Sequence, residues 1–545
     1  MQHEGTGENR TNGRTLLSNR RTRTTIAALA IAVGASPVWA DSSPAFVDVA
    51  PDLGIDHVYG GGWEHYVGGG VAAFDCNADG RPELYVAGGE NQAALFLNRS
   101  TPGQGISLQR ATGSALARTG VTGAYPLDVD GDGRLDLAVL RVGENLLFRG
   151  RGDCRFEPAN RRWRFDGGAA WTTAFSAAWL DGQDWPTLAV GNYVDRDDPD
   201  GPFGACEENR VYSPNGAVDG FAAPVPLSPG HCALSMLFSD WGRNGRQDLR
   251  ISNDRHYYVR DGEEQLWRID GAPRLYGPED GWRRLSIWGM GIASRDIDGD
   301  GLPEVMLTSM GDQKLRRLEN GADRPAFHDG ALAAGVTAHR PYTGGDGRPS
   351  TGWHAEFGDV DNDGHDDLFI AKGNVQSMGD AAVNDPNNLL MGRPGGRFVE
   401  AGESAGVASL ARSRGGALVD LDQDGLLDIV AVNRRTPVEI YHNRTRPVGH
   451  WLALRIDREA PNRNGVGAWI EVTANGRTQS REITVGGGHA GGQIGWIHFG
   501  LGPATEAEVA VVPPDGTPSV RFTLAADRRY VIDDTSAREW PHPKE

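Results

Sequence analysis

The stretch Asp128-Val-Asp130-Gly-Asp132-Gly133-Arg-Leu-Asp136 lies between two short apolar segments, residues 121–127 and 137–140. It is one copy of the pattern D-x-[DN]-x-[DN]-G-x-x-[DE], which recurs along the 545-residue chain. Because apolar segments of strand length flank each copy, the pattern predicts loops that join β-strands. The intact copies place candidate metal ligands at Asp75, Asn77, Asp79 and Glu83; Asp128, Asp130, Asp132 and Asp136; Asp296, Asp298, Asp300 and Glu304; Asp359, Asp361, Asp363 and Asp367; and Asp420, Asp422, Asp424 and Asp428.

Two further copies are degraded. One keeps Asp240, Asn244 and Asp248 but has no acid at its third position, and the copy that begins at residue 179 has lost most ligands. The seven copies begin at residues 75, 128, 179, 240, 296, 359 and 420. A period of roughly 40 to 60 residues with only strand signals inside predicts an all-β propeller of seven four-stranded blades.

The two ends of the repeat array complement each other. The fifth and sixth units end with an F-x-[DE] strand and a Gly-Val turn, at residues 327–336 and 398–407. The seventh unit lacks this strand, whereas Phe46-Val-Asp48 near the N-terminus belongs to no unit. We therefore expect the N-terminal strand to complete the last blade, which closes the ring and removes exposed strand edges.

The acidic loops have the ligand chemistry of calcium sites. Oxygen ligands at alternate positions of a tight turn point toward one centre, and Gly at the sixth position permits the turn. Several hard oxygen ligands suit Ca²⁺, so we expect several structural calcium sites. The alternative is an Asp/Gly turn without metal. We expect that alternative for the copy at residue 179, and both interpretations stay open for Asp240, Asn244 and Asp248.

The first 40 residues resemble a secretory signal. Arginines precede an apolar run, residues 26–33, and a small-residue cleavage site ends at Ala40. We expect an exported protein, whether periplasmic, cell-surface or secreted, with no transmembrane segment in its mature chain. The pair Arg20-Arg21 leaves the twin-arginine route open beside ordinary secretion.

Four cysteines fit an oxidising compartment. Cys206 and Cys232 bracket a stretch rich in Pro and Gly, which we interpret as an insertion over residues 195–235 that a disulfide would clasp. Cys76 and Cys154 are either a second pair or free thiols.

The amino-acid composition restricts the fold class and the kinds of partner that the protein can bind. The chain has 73 acidic and 54 basic residues, a net charge of -19, which argues against a nucleic-acid partner because phosphates need the opposite sign. Its 76 glycines favour strands and tight turns over helices.

The repeats resemble FG-GAP/VCBS repeats of the integrin-alpha type. The tail resembles an ASPIC/UnbV domain through Asn464-Gly465-Val-Gly467-Ala468, Arg481-Glu482 before Gly486, His498-Phe-Gly-Leu-Gly502 and Pro514-Asp-Gly516. Together they resemble the cartilage acidic protein family, although Pro513 and Gly492 stand where that family usually has Trp and Ser. The resemblance implies a seven-bladed integrin-alpha-type propeller over residues 41–445, followed by a small β-sandwich-like domain over residues 446–540. It also implies an exported calcium-binding adhesion or matrix-type protein.

No HExxH or P-loop pattern occurs in the sequence. One polar constellation outside the acidic loops could form an acid/base or metal site near the propeller channel, with Asp254, His256, Tyr257 and Glu263 as its candidate residues. A cross-strand polar ladder explains these residues as well, and we favour it. Two function classes follow: a scaffold that binds a protein or glycan, or an exported enzyme of glycan or secondary-metabolite chemistry with its site near His256.

Overall fold

The computed structural model describes residues 43–180, 182–200, 204–217, 219–254, 262–319, 321–459, 461–514 and 521–541. The predicted signal segment, residues 1–40, lies outside these ranges, as do His256 and Tyr257. The described ranges contain 37 strands, two four-residue α-helices, and 3-10 helices at Trp63–His65 and Pro278–Asp280. None of the described helices is long and apolar enough to span a bilayer.

Seven four-stranded antiparallel units form the blades, and strand β1 (Phe46–Asp48) belongs to the last of them. Pairing between one strand of blade 5 and one of blade 6 joins these two units into an eight-stranded sheet. Blade 1 contains β2 (Val71–Phe74), β3 (Glu83–Val86), β4 (Ala94–Asn98) and β5 (Leu108–Arg110); blade 2 contains β6 (Val121–Leu127), β7 (Asp136–Arg141), β8 (Leu146–Gly150) and β9 (Phe156–Pro158); blade 3 contains β10 (Thr172–Ala178), β11 (Thr187–Asn192), β12 (Asn209–Tyr212) and β13 (Val225–Leu227). Blade 4 contains β14 (Ala233–Ser239), β15 (Asp248–Asn253), β16 (Gln265–Arg268) and β17 (Arg274–Leu275); blade 5 contains β18 (Gly289–Arg295), β19 (Glu304–Gly311), β20 (Lys314–Leu318) and β21 (Phe327–Asp329). Blade 6 contains β22 (Ser350–Gly358), β23 (Asp367–Lys372), β24 (Asn388–Arg393) and β25 (Arg397–Glu400), and blade 7 contains β26 (Ser413–Val419), β27 (Asp428–Asn433) and β28 (Glu439–Asn443) together with β1.

The ring closes as the sequence predicted. β1 pairs antiparallel with β28, with Phe46 opposite Asn443 and Asp48 opposite Tyr441. The first strand of each blade lies beside the first strand of the next, and β26 of blade 7 lies beside β2 of blade 1. An N-terminal strand therefore supplies the outer edge of the last blade, and the predicted all-β seven-bladed propeller is confirmed.

Short helices follow two of the F-x-[DE] strands. Helices α1 (Ala331–Ala334) and α2 (Gly402–Ala405) come after β21 and β25, and each ends at a glycine with positive φ, Gly335 or Gly406. A left-handed residue at this position is the usual helix stop, and glycine adopts it without a Cβ penalty. The Gly-Val turns of the repeat are therefore helix C-caps.

The stretch over residues 195–235 is not an insertion outside the blade, contrary to our expectation. It supplies β12 and β13, the two outer strands of blade 3, before it reaches β14. Pro226 lies in the edge strand β13, opposite Arg210. Because no described strand pairs with the outer side of β13, the missing amide donor of a proline there breaks no interstrand hydrogen bond. The prolines that hid the strand pattern are therefore tolerated because this strand is an edge.

Both cysteine pairs form disulfides. The predicted bond between Cys206 and Cys232 is confirmed, and Cys76 pairs with Cys154, which ties the acidic loop of blade 1 to blade 2.

The tail forms two further four-stranded sheets. One has the order β33-β29-β36-β37 and the other β31-β30-β34-β35. Their strands are β29 (His450–Ile456), β30 (Trp469–Ala474), β31 (Arg477–Glu482), β33 (Ile497–Gly502), β34 (Glu506–Val512), β35 (Phe522–Ala525), β36 (Arg528–Ile532) and β37 (Ala537–Glu539), with a short β32 (Gln493–Ile494) between β31 and β33. Buried side chains of both sheets, such as Leu454 and Val472, belong to one hydrophobic core. This agrees with the expected small β-sandwich-like domain.

Candidate functional site

The acidic loops, which we number by blade, lie between the first and second strands of their blades and share one backbone arrangement. The first carboxylate accepts a hydrogen bond from the amide of the sixth-position glycine; the distances are 2.8 Å from Gly80 to Asp75, 2.9 Å from Gly133 to Asp128 and 2.7 Å from Gly364 to Asp359. This bond holds the turn around a common centre. The spacing read in the sequence therefore corresponds to one recurrent local structure.

The ninth-position carboxylate is buried at the base of the loop. In loop 2, Asp136 accepts hydrogen bonds from the amides of Val129 (2.7 Å) and Gly150 (2.8 Å). In loop 6, Asp367 accepts them from Val360 (2.8 Å) and Gly392 (2.7 Å). Each carboxylate thus links its own loop to the third strand of the blade, which fixes the position of the last candidate ligand.

In loops 2, 5 and 6, three acids each place one carboxylate oxygen within 4.8 Å of the others; the sets are Asp128, Asp130 and Asp136; Asp296, Asp298 and Asp300; and Asp359, Asp361 and Asp367. Burial, with repulsion from neighbouring carboxylates, raises the pKa of Asp363 to about 7 and that of Glu304 to about 8. Burial likewise raises the pKa of Glu83 in loop 1 to about 8. Such groups gain most from a cation that compensates their charge.

Arginines neutralise part of this charge. Arg149 contacts Asp130 Oδ2 at 2.6 Å and Asp132 Oδ2 at 2.7 Å, and Arg317 contacts Asp298 Oδ2 at 2.6 Å. The second oxygen of Asp130, Oδ1, is buried and has no hydrogen-bond partner. Because an unpaired buried carboxylate oxygen is costly, the donor set of loop 2 fits an additional cation.

The degraded loops keep the turn but use their acids differently. In loop 4, Asp240 accepts the amides of Asn244 (2.9 Å) and Gly245 (2.8 Å). Asp248 instead accepts Trp241 Nε1 (2.8 Å) and the Tyr276 hydroxyl (2.9 Å). In loop 3, Gln183 Oε1 accepts the Thr187 hydroxyl at 2.9 Å, and Asp181 lies outside the described residues. Gln183 of loop 3 and Asp248 of loop 4 therefore accept hydrogen bonds from side chains of the protein.

The tail domain covers the face of the ring that carries the acidic loops. Trp496 Nε1 donates to the Gly80 carbonyl at 2.9 Å, and Arg529 pairs with Asp420 at 2.7 Å. A Cβ built on Gly425 would lie 2.1 Å from Trp451 Nε1. The sixth-position glycine of loop 7 is therefore required by tail docking as well as by the turn, which the sequence analysis missed.

Residues 484–495 of the tail, which we call the channel segment, enter the centre of the ring. The segment contacts the innermost strand of all seven blades. β32 pairs in parallel with β2 of blade 1. Hydrogen bonds reach blade 2 (Ala124 N to Ala490 O), blade 3 (Ala177 N to Val485 O), blade 4 (Gly487 N to Met236 O), blade 5 (Gly488 N to Ile292 O), blade 6 (His489 N to His354 Nδ1) and blade 7 (Gln493 Nε2 to Leu418 O). The channel is thus filled by the chain's own backbone.

Glycines on both sides permit this approach. A Cβ on Gly123 of blade 2 would lie 1.7 Å from the Ala490 carbonyl oxygen, and one on Gly491 would lie 2.2 Å from the Val71 carbonyl oxygen. Gly492, where the resembled family usually has Ser, lies against the Tyr125 ring, which a Cβ would approach to 2.7 Å. Glycine is needed at positions 123 and 491 because the backbones of the blades and of the channel segment are in direct contact there.

His489 lies at the buried end of the channel segment. Its Nε2 accepts the Gly68 amide at 3.1 Å, and its Nδ1 lies 3.0 Å from the Met290 carbonyl oxygen, which requires the neutral ring with the proton on Nδ1. Burial lowers the pKa of His489 to about 3. The channel contact therefore depends on an uncharged imidazole.

We expect acid to weaken this contact measurably. Because the pKa of His489 is lower in the folded than in the unfolded chain, its contribution to stability is complete above about pH 6.5 and is lost as the pH falls toward 3. Over that range this group reduces the free energy of unfolding by up to about 1.4 kcal/mol per pH unit. In denaturant titrations at several pH values, His489→Gln should flatten the slope of the free energy of unfolding against pH. Superimposable profiles for His489→Gln and the parent would contradict the assignment.

A cavity of about 250 Å³ lies beside the channel segment. In its wall, Glu356 accepts hydrogen bonds from His354 Nε2 (3.2 Å), the Leu418 amide (3.1 Å) and Gln493. Glu356 thus joins blades 6 and 7 to the channel segment, so this half-buried carboxylate has a structural role.

The polar constellation near residue 254 is divided between two places. Glu264 accepts the Asn253 amide (2.9 Å) and the Ser252 hydroxyl (3.2 Å) across strands β15 and β16, and burial raises its pKa to about 8. Asp254 instead accepts the Tyr193 hydroxyl of blade 3 at 2.5 Å, and Glu263 pairs with Arg284. His256 and Tyr257 lie outside the described residues. The described members therefore form a cross-strand network and a separate buried pair.

The stretch Gly402-Glu-Ser404-Ala-Gly406 matches G-x-S-x-G, a pattern that the sequence analysis overlooked. Ser404 lies in α2 after an outer strand, and its hydroxyl donates to the Ala401 carbonyl at 3.0 Å. Ala331–Ala334 forms the same capped helix in blade 5 without a serine. The match is a repeat feature of the blades.

Comparison with known families supports this architecture. A model of FG-GAP-like repeats matches residues 75–139 and 359–431, and a model of the ASPIC and UnbV domain matches residues 458–539. The chain therefore contains FG-GAP-like repeats followed by an ASPIC and UnbV domain, as the sequence predicted.

Three solved structures show a remote likeness to this chain. BBS1N, in its complex with ARL6DN, is 13% identical over 73% of this chain and 96% of that chain, with a TM-score of 0.42. An Agrocybe aegerita lectin that recognises non-reducing terminal N-acetylglucosamine is 16% identical over 68% and 93%, with a TM-score of 0.36. The exotype rhamnogalacturonan lyase YesX is 13% identical over 88% and 92%, with a TM-score of 0.33. No curated protein sequence matches the chain.

Proposed function

We propose that this chain is an exported calcium-binding β-propeller protein that acts as an extracytoplasmic scaffold for a protein or glycan ligand. The observation that carries the proposal is the convergence of carboxylates in loops 2, 5 and 6, where three acids of each loop place one oxygen apiece within 4.8 Å of one another. The two disulfides support an oxidising compartment outside the cytoplasm.

The donor chemistry supports calcium in these loops. The candidate ligands of loops 2, 5 and 6 are all oxygens, which hard cations prefer, and they sit on a rigid hairpin whose first and last acids are held by backbone amides. Loop 1 offers the same pattern with Asn77 in the third position. A bound cation would offset the burial and the carboxylate repulsion that together raise the pKa of Asp363.

The occupied channel supports a binding scaffold over an enzyme whose site lies in the channel. The channel segment bonds to all seven blades, and the tail covers the loop face. This arrangement favours ligand contact at the outer surface of the assembled molecule, where a rigid calcium-stabilised propeller presents its loops and blade edges.

The scaffold role is tested on arrays of glycans and secreted proteins. We expect the calcium-loaded mature chain to retain at least one glycan or protein, and a chelator to release it because the loops lose their order. A variant with Asp361→Asn and Asp363→Asn should bind more weakly than the parent at limiting calcium. A protein that retains no ligand, or that turns over an arrayed substrate, would contradict the scaffold proposal.

A further inference from the structure

Loop 7 differs from the other acidic loops because a histidine joins it. His442, in β28 of blade 7, places its Nε2 3.2 Å from Asp422 Oδ2. Asp422, Asp424 and His442 each offer a ligand atom, and these atoms lie within 4.8 Å of one another. The loop thus combines two carboxylates with an imidazole nitrogen.

The first acid of loop 7 is engaged elsewhere. Arg529 of the tail donates to Asp420 Oδ2 at 2.7 Å, and the Gly425 amide donates to the same oxygen at 3.1 Å. The last acid, Asp428, accepts the Leu421 and Asn443 amides at 2.9 and 2.8 Å. Asp420 Oδ1 is buried and has no hydrogen-bond partner, so a cation could still use the first acid, but it would share that carboxylate with Arg529. Asp422, Asp424 and His442 do not depend on that arginine.

A second observation points to a missing ligand at this cluster. Asp422 is 1% exposed, and its Oδ1 has no hydrogen-bond partner, while its Oδ2 accepts the Gly105 amide at 3.0 Å. His442 is 2% exposed. Asp424, by contrast, lies at the surface and gives a cation access to the buried pair. A buried carboxylate oxygen without a donor is costly unless a cation meets it.

We propose that Asp422, Asp424 and His442 bind a first-row transition-metal dication, with zinc as the expected ion, rather than calcium. Imidazole nitrogen with carboxylate oxygen suits zinc and its neighbours, whereas calcium prefers oxygen ligands alone. Three protein ligands leave a coordination position for water. This site replaces the calcium expectation for Asp420, Asp422, Asp424 and Asp428, and it does not rest on calcium in the other loops.

The test uses the full mature chain, stripped with a chelator and then titrated with Co²⁺ in a large excess of Ca²⁺. We expect one equivalent of Co²⁺ to bind with visible absorption, and Zn²⁺ to displace it. His442→Gln should remove this equivalent. The matched control His450→Gln changes an exposed histidine that pairs with Asp527 at 2.6 Å, and it should leave the signal intact.

His442 is buried, so a loss of Co²⁺ binding in His442→Gln could result from misfolding. A second variant, at a surface ligand, separates misfolding from the loss of a ligand. Asp424→Asn at the surface can keep the oxygen that accepts the Leu426 amide, and it should weaken Co²⁺ binding at least about tenfold. Failure of the parent to bind Co²⁺, loss of binding in excess Ca²⁺, or unchanged binding in both variants would overturn the proposal. Calcium binding by loops 2, 5 and 6 is measured separately in the same samples, so the two proposals fail independently.

Discussion

Replacing Gly123 by alanine should lower the free energy of unfolding by about 3 kcal/mol or more. The new Cβ would lie 1.7 Å from the Ala490 carbonyl oxygen, and neither backbone can move far, because one belongs to a blade strand and the other to the channel segment. Extra atoms in a well-packed site typically cost about 1 to 3 kcal/mol, with larger values where the neighbours cannot yield. Denaturant titration of the purified variant measures the change.

The matched control is Gly379→Ala, because a Cβ at this residue would meet no atom within 4 Å. Its stability should stay within about 0.5 kcal/mol of the parent. Limited proteolysis gives a second readout, since a displaced channel segment should become cleavable near residues 484–495. Equal stabilities for Gly123→Ala and Gly379→Ala, with the segment still protected, would show that the segment does not lie against blade 2.

Calcium should raise the melting temperature of the chelated protein by many degrees. Each site contributes about 2.7 kcal/mol at a hundredfold excess of calcium over its Kd, provided that the unfolded chain binds none. With three convergent loops, the combined effect is expected to be large. Calorimetry with and without chelator measures the shift, and elemental analysis of the untreated protein measures the metal.

Loop variants connect the shift to particular carboxylates. The double variant Asp361→Asn and Asp363→Asn should lose the part of the calcium-dependent rise in melting temperature that loop 6 contributes. The reason is that two carboxylates of this loop become neutral amides. Loop 4 has Gly242 in place of an acid at its third position. Asp240→Asn should therefore keep the full calcium-dependent rise in melting temperature, even if the stability of the metal-free protein changes. An unchanged melting temperature in calcium, together with no metal in the protein, would refute the calcium proposal.

Local spacing in the sequence determined the loops, the blades and the closure of the ring. The acids at positions one and nine bond to amides within a few residues or in the same blade, as Asp136 does with Val129 and Gly150. Such contacts follow from the order of residues in one hairpin. The orphan strand at Phe46 could likewise be matched to the unit that lacked one, because strand edges demand pairing.

Only the tertiary structure decided which groups meet across long separations. Arg529 and Asp420 are 109 residues apart, and the Gly68 amide and His489 are 421 residues apart, so no periodicity in the chain could pair them. The role of a glycine is equally ambiguous in a sequence. Gly133 permits a positive φ, whereas Gly123 permits close contact with another backbone. The sequence alone does not distinguish these two roles. A repeat encodes contacts within a blade, while the docking of a non-repeated tail depends on complementary surfaces that exist only after the ring has formed.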